Sequence, residues 1–160
     1  MSAEFDKLLP ALVRGGVEFV LIGGVAGNVH GASRLTYDVD VVYARTAANY
    51  KRLTESLKDY FPYLRGAPSG LPFVWDERTI RNGLNFTLTT QIGDLDLLGE
   101  VVGGGGYRDL LAHSIEIEAF GVTFKCVALP MLIKLKRAAG RPKDLESLAE
   151  LQALLKEQRD

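Results

Sequence analysis

Residues 21–43 read LIGGVAGNVHGASRLTYDVDVVY and contain the two features that decide the fold. Gly23 and Gly24 follow an apolar run of strand character, and a short helix is predicted directly after them. Asp38 and Asp40 lie in a second strand-like run. Because side chains at positions i and i+2 of a strand point to the same face, both carboxylates should project together.

The predicted carboxylate pair needs a counter-charge, since two carboxylates held close together repel each other. A divalent cation meets that need, and Mg²⁺ binds carboxylate oxygens together with substrate phosphates. The glycine turn has the complementary property, because free backbone N–H groups and the helix dipole favour an anion. Taken alone, the pair also fits a solvated strand edge, and the glycines fit a plain strand-to-helix turn. Their order along the chain favours chemistry on a nucleotide.

Two polar residues between the glycines and the carboxylates have two interpretations each. Thr36 either caps the entrance of the strand or contacts phosphate. Arg34 is either a surface charge or a phosphate contact in the loop before the strand.

The composition is that of a globular protein with a hydrophobic core. The chain has 160 residues, of which 47% are hydrophobic and 24% charged, and we expect one domain spanning residues 1–160. The net charge of -1 gives no global attraction to nucleic acid or to membranes. Cys126 is the only cysteine, which excludes an intramolecular disulfide. Without a signal peptide or a bilayer-spanning apolar run, a cytoplasmic location and no membrane partner are expected.

Periodicity and turn signals predict a mixed α/β (α+β) fold, with a twisted mixed sheet flanked by helices and a helical pair at the C-terminus. Pro10 is expected to kink or break the first helix, and the four glycines at 103–106 to form a flexible loop on the active-site side. The predicted helices cover residues 3–14, 25–30, 46–60, 107–113, 130–139 and 143–158. The predicted strands cover residues 17–22, 38–43, 71–75, 85–90, 92–98, 115–118 and 122–127.

A third carboxylate is available on the predicted strand that ends GDLDLLGE. Two-metal phosphoryl transfer needs carboxylates on both metals, and the third one can take the proton of the attacking hydroxyl. Asp94 and Asp96 share a face of this strand, so either could reach the site. Asp96 is favoured because it lies between leucines, where an unpaired carboxylate would be costly. Asp94 follows a glycine and has the alternative interpretation of a turn residue.

The segment LIGGVAGNVHGASRLTYDVDVV resembles the signature of the polymerase-beta-like nucleotidyltransferase superfamily. The C-terminal segment LPMLIKLKRAAGRPKDLESLAEL is similar to one branch of it, the minimal bacterial nucleotidyltransferases related to abortive-infection and type IV toxin–antitoxin toxins. In that branch a helix bearing a lysine is followed by an Arg-Pro-Lys-Asp turn into the last helix. The resemblance spans most of the chain and is weakest between residues 43 and 87.

The resemblance implies a role for each matching residue. Gly23 and Gly24, with Thr36, would contact the triphosphate; Asp38, Asp40 and Asp96 would be the catalytic metal ligands; Lys134 or Lys136 would lie near the incoming phosphates. The choice between the two lysines stays open, because residues two apart on a helix cannot both face one site. Arg141, Lys143 and Asp144 are equally well explained as the turn that starts a helix.

The implied activity is a nucleotidyltransferase that depends on Mg²⁺ or Mn²⁺. It would move a nucleoside monophosphate from a nucleoside triphosphate, ATP among them, to an acceptor hydroxyl and release pyrophosphate. The acceptor would be a tRNA 3′ end, a protein hydroxyl or a small molecule, and an antitoxin protein is a further implied partner. The alternative function is a nucleotide- or partner-binding module of the same fold with little turnover. The presence of all three carboxylates argues against that alternative.

Overall fold

The computed structural model describes residues 5–33, 36 and 38–159 of the chain. Residue 3, where the first helix was predicted to begin, and Arg34, with both of its interpretations, lie outside these residues. The α-helices of the described part are α1 (Phe5–Arg14), α2 (Gly23–Val29), α3 (Ala47–Leu57), α4 (Glu77–Asn82), α5 (Tyr107–Leu111), α6 (Leu129–Ala139) and α7 (Pro142–Arg159). The strands are β1 (Phe19–Ile22), β2 (Asp38–Tyr43), β3 (Tyr63–Leu64), β4 (Phe86–Thr90), β5 (Gly93–Leu98), β6 (Glu100–Val101), β7 (Gly105–Gly106), β8 (Ser114–Ala119) and β9 (Val122–Val127).

The predicted mixed sheet is confirmed. It has the strand order β3-β4-β5-β2-β1-β9-β8. The pairs β2–β5 and β1–β9 are parallel, and the other neighbours are antiparallel. Val20 and Leu21 of the central strand point to opposite faces and are both fully buried, so elements cover both faces of the sheet centre.

Local sequence explains how the elements around the site begin and end. Thr46 caps α3, as predicted, because its hydroxyl oxygen accepts a hydrogen bond from the Asn49 backbone N–H at 3.2 Å. Gly140 ends α6 in the left-handed conformation at φ 66°, which glycine adopts without a Cβ penalty. The chain then enters α7 directly, with Pro142 at its first residue. The predicted C-terminal helical pair is therefore present, and α6 and α7 pack against each other.

The predicted break at Pro10 and one predicted strand of the first half are wrong. Helix α1 continues through the buried Pro10 and ends at Arg14, while the alternative of a kink at Pro10 stays a prediction. Residues 71–75 form no strand, since Pro72 has no N–H to give to a ladder and the Phe73 N–H bonds locally to the Leu71 carbonyl at 2.8 Å. The Trp75 indole N–H instead donates to the Thr54 carbonyl at 3.2 Å.

The glycine run at 103–106 also differs from the prediction of an active-site loop. The antiparallel pair β6–β7 forms a small hairpin there. The hairpin packs closely against α6 and α5, because a Cβ at Gly104 would lie 2.7 Å from Leu135 and 2.9 Å from Leu110. Close packing requires glycine at Gly103, Gly104 and Gly105, and none of the four glycines lines the cavity beside the carboxylates.

Among the described residues, no helix is both long enough and apolar enough to cross a bilayer.

Candidate active site

The parallel pairing of β2 with β5 brings the predicted carboxylates together. Asp38 lies opposite Asp94, and Asp40 lies opposite Asp96. Because paired residues of adjacent strands project to the same face, four carboxylates occupy one patch of the sheet. Ligand oxygens of Asp38, Asp40 and Asp96 all lie within 4.8 Å of one another. Asp94 is not part of that group of three, which agrees with the preference for Asp96 from sequence.

The carboxylate group has the properties expected of a site for a divalent cation. Within the described residues, the buried Oδ1 atoms of Asp40 and Asp96 have no hydrogen-bond partner, although Asp96 Oδ1 forms an ion pair with Arg65 at 3.0 Å. A buried oxygen without a partner costs free energy unless a cation or a proton compensates it. Carboxylate oxygens are the donors that Mg²⁺ and Mn²⁺ accept, so the residues present fit such an ion.

Burial and mutual repulsion change the acidity of these groups. The pKa of Asp40 lies well above its ordinary value, first because burial removes water from the charged form, and then because Asp96 and Asp38 lie close by. The pKa of Asp38 is raised for the same reasons, burial being the largest and Asp96 the next. Both shifts favour a proton on a carboxylate, and a bound cation would compete for the same oxygens.

Gly23 and Gly24 lie close to β2, and a side-chain carbon at either position would collide with a neighbouring side chain. Gly23 has φ 74°, and a Cβ there would overlap the Asp40 carboxylate. A Cβ at Gly24 would lie 2.7 Å from the Thr36 hydroxyl oxygen. The Thr36 hydroxyl donates to the Asp38 carbonyl at 3.3 Å and so stabilises the start of β2. Thr36 also lines the cavity beside the carboxylates.

A cavity of about 250 Å³ opens beside this group, and it carries both signs of charge. It is lined by Gly23, Gly24, Gly27, Ala32, Thr36, Asp38, Asp40, Lys136, Arg141, Lys143, Ser147, Glu150 and Leu151. Lys136 therefore reaches the space next to Asp38 and Asp40. Lys134 is exposed and is not among the lining residues.

A buried carboxylate holds Lys136 and Arg141, two of the positive side chains that line the cavity. Asp144 has only 1% of its side chain exposed and lies 3.5 Å from Lys136 Nζ. Arg141 donates to the same carboxylate from Nε at 2.6 Å and from Nη2 at 3.3 Å. Asp144 is therefore more than the start of α7, because it fixes two cations beside Asp40. The Arg-Pro-Lys-Asp pattern was the available signal for this role.

Sequence reasoning missed Arg65, which follows β3 directly. Its Nη2 lies 3.0 Å from Asp96, its Nε 3.5 Å from Asp94 and its Nη1 3.8 Å from Asp38. It lies in a stretch rich in proline and glycine, where no periodicity points to a functional residue.

Comparison with known proteins gives a result for the fold alone. No protein-family model matches the chain, and no curated protein matches it. Among solved structures, the lincosamide antibiotic adenylyltransferase LnuA, crystallised with lincomycin bound, superposes with a TM-score of 0.61 at 14% sequence identity. The match covers 94% of this chain and 96% of LnuA.

The chain has the fold of the adenylyltransferase LnuA. The match spans nearly the full length of both chains, so the predicted fold class is confirmed. The narrower resemblance to abortive-infection and type IV toxins stays a prediction, as do the single domain and the antitoxin.

Proposed function

We propose that this protein is a divalent-metal-dependent nucleotidyltransferase, which moves a nucleoside monophosphate from a nucleoside triphosphate to an acceptor hydroxyl. The observation that carries the proposal is the meeting of Asp38, Asp40 and Asp96 within 4.8 Å, beside a cavity that also holds Lys136 and Arg141. Carboxylates for cations and fixed cations for phosphates are the parts that phosphoryl transfer needs. The fold of LnuA, an adenylyltransferase, supports the same reaction class.

In this proposal the triphosphate lies in the cavity. Gly23 and Gly24 line the cavity at the start of α2, and backbone N–H groups there would bind phosphate oxygens. Lys136 and Arg141 attract these oxygens by charge, and Asp144 holds both side chains in place. Fixed positive charge at the phosphates stabilises the charge that develops on the leaving group.

Asp38, Asp40 and Asp96 would hold the cation. When bound, a divalent cation neutralises phosphate charge and makes an acceptor hydroxyl more acidic. We assign Asp96 as the acceptor of the hydroxyl proton, since its carboxylate belongs to the group of three that would hold the cation. The acceptor oxygen then forms its bond to the α-phosphorus as the bond to the β-phosphate oxygen breaks, and pyrophosphate leaves.

One experiment with two arms tests which class of molecule supplies the acceptor hydroxyl. Purified protein is incubated with Mg²⁺ and each labelled nucleoside triphosphate in turn, once with lincosamide antibiotics and once with total RNA. Lincosamides are included because LnuA was crystallised with lincomycin, and RNA because of the toxin-like C-terminal segment. A labelled product in the RNA arm would favour the toxin interpretation, and one in the antibiotic arm would favour a small-molecule acceptor.

Pyrophosphate release and label transfer are measured together. Asp40→Asn should abolish both, and Asp59→Asn, at an exposed position in the turn after α3, should leave both at the wild-type rate. Wild-type protein that binds none of the four triphosphates in the presence of Mg²⁺ or Mn²⁺ would contradict the proposal.

A further inference from the structure

Arg65 places a positive charge within the carboxylate group, and nothing in the proposed reaction yet uses it. Of the four carboxylates on the patch, Asp38, Asp94 and Asp96 lie within 4 Å of its guanidinium. Asp40 is the fourth, and no ion pair joins it to Arg65. The Arg65 side chain is only 27% exposed, so solvent screens this charge less than it would on an open surface.

The directional hydrogen bonds of Arg65 go elsewhere. Nε and Nη2 both donate to the Leu88 carbonyl of β4, at 3.2 Å and 2.8 Å. Although Nη2 lies 3.0 Å from Asp96 Oδ1, that oxygen has no hydrogen-bond partner within the described residues. The backbone of β4 thus fixes the guanidinium, while the carboxylates feel its charge and keep oxygens available.

A second cation at the same oxygens would meet this fixed charge. Asp38 and Asp96 belong both to the group that fits a metal ion and to the group around Arg65. Like charges this close repel each other, so Arg65 opposes the entry of a divalent ion. Triphosphate oxygens in the neighbouring cavity would add negative charge and metal ligands, and so reverse the balance.

We propose that Arg65 is a resident counter-ion, which makes divalent-metal binding conditional on the presence of the triphosphate. Its fixed charge stabilises the carboxylates while no nucleotide is bound and keeps metal affinity low in that state. This inference rests on the proposed function, because it requires a metal at Asp38, Asp40 and Asp96. It adds a positioning residue whose effect is on binding order.

The Mn²⁺ affinity is measured by titration, with the electron paramagnetic resonance signal of the free ion as the readout. Wild-type protein is compared with Arg65→Gln, which removes the charge, and with Arg65→Lys, which keeps it. Arg52→Gln is the matched control, since Arg52 pairs with Glu18 at 3.6 Å and lines no part of the cavity. Each protein is titrated alone and again with a non-hydrolysable ATP analogue.

Without nucleotide, Arg65→Gln should bind Mn²⁺ about tenfold or more tightly than wild type, because one repelling charge is gone. Arg65→Lys and Arg52→Gln should bind Mn²⁺ as weakly as wild type. The analogue should tighten Mn²⁺ binding strongly in wild type and much less in Arg65→Gln.

Equal Mn²⁺ affinity of wild type and Arg65→Gln in the absence of nucleotide would overturn the inference alone. Arg65→Met, which keeps the aliphatic stem, replaces Arg65→Gln if the latter does not fold. Failure of both neutral variants to fold would make Arg65 a structural residue and would overturn the inference as well. If wild type binds no Mn²⁺ even with the analogue, the proposed function itself fails. That result is distinct from equal affinity of wild type and Arg65→Gln with Mn²⁺ binding retained, which overturns only the role of Arg65.

Discussion

A side-chain carbon at Gly23 would overlap the carboxylate of Asp40, so the glycine turn and the metal-ligand strand depend on each other. Gly23 also has φ 74°, a conformation that side chains with a Cβ rarely adopt. The Gly-Gly turn and the Asp-x-Asp strand, which are separate motifs in the sequence, are therefore in direct contact in the structure.

Gly23→Ala should destabilise the protein by more than its backbone conformation alone requires. A left-handed non-glycine residue costs about 1–2 kcal/mol. The displaced Asp40 carboxylate adds to that cost and should also lower turnover. Gly66→Ala is the matched control, since Gly66 has φ 77° and nothing would lie within 4 Å of its Cβ. Thermal unfolding of both variants separates the two contributions, and equal losses would show that the contact with Asp40 carries no weight.

Asp96→Asn should remove most turnover while triphosphate affinity stays within a few-fold of wild type. The reason is the proposed role of Asp96 at the acceptor side, which matters most in the transition state. Asp94→Asn should have a much smaller effect, because Asp94 lies outside the group of three ligands. Single-turnover rates and equilibrium binding of an analogue are measured for both. A larger loss of turnover in Asp94→Asn than in Asp96→Asn would show that Asp94 is the third carboxylate.

The metal-free protein should lose stability as pH rises above the ordinary carboxyl pKa. The pKa of Asp40 is raised in the folded state by burial and by Asp96, so the folded state holds more protons than the unfolded state in that window. Asp40→Asn should flatten this slope above the ordinary carboxyl pKa and raise the melting temperature at the upper end of the pH range.

Asp76 provides a control of opposite sign. The Thr79 backbone N–H lowers the pKa of Asp76, so its contribution to stability is lost as pH falls. Asp76→Asn should therefore change the slope in the other direction, and below the ordinary carboxyl pKa, where Asp40→Asn has no effect. Melting temperatures in chelator across the pH range test both, and an unchanged slope in Asp40→Asn would contradict the burial argument.

Lys136→Ala should weaken triphosphate binding about tenfold, because it removes a fixed cation from the cavity. Lys134→Ala, at an exposed position on the same helix, should leave binding unchanged. A modest loss of stability is also expected in Lys136→Ala, of about 1 kcal/mol, since buried Asp144 keeps Arg141 but loses its second partner. Calorimetry with a non-hydrolysable analogue decides between the two lysines, and equal affinity in wild type and Lys136→Ala would make α6 only structural.

Much of this fold was accessible from sequence because its signals are local. The apolar run of β1, the Thr46 cap and the Asp-x-Asp alternation each follow from a few neighbouring residues. Asp96 could be preferred over Asp94 because burial between leucines implies a partner. Strand order could not be derived, since it depends on pairing between distant segments.

The failures have two causes, pairing between distant segments and a local signal that was given too little weight. Arg65 reaches the carboxylates from a strand of two residues, and only the pairing of β3 with β4 brings it there. The segment 71–75 has strand composition, but Pro72 and local hydrogen bonds prevent a ladder. For Asp144 two interpretations stayed open from sequence, because its contact with Lys136 depends on how α6 and α7 pack against each other.

The parallel pairing of β2 with β5 has a consequence for how the protein is made. Asp38 and Asp40 emerge from the ribosome long before Asp96, and only the finished β2–β5 pair brings the three together. Parallel pairing of distant segments forms slowly, because the intervening chain must first be closed into a loop. Lys136 and Arg141 are synthesised later still. A nascent chain that has not reached Lys136 and Arg141 therefore cannot assemble the site, and any activity of this protein begins only after these residues have been synthesised.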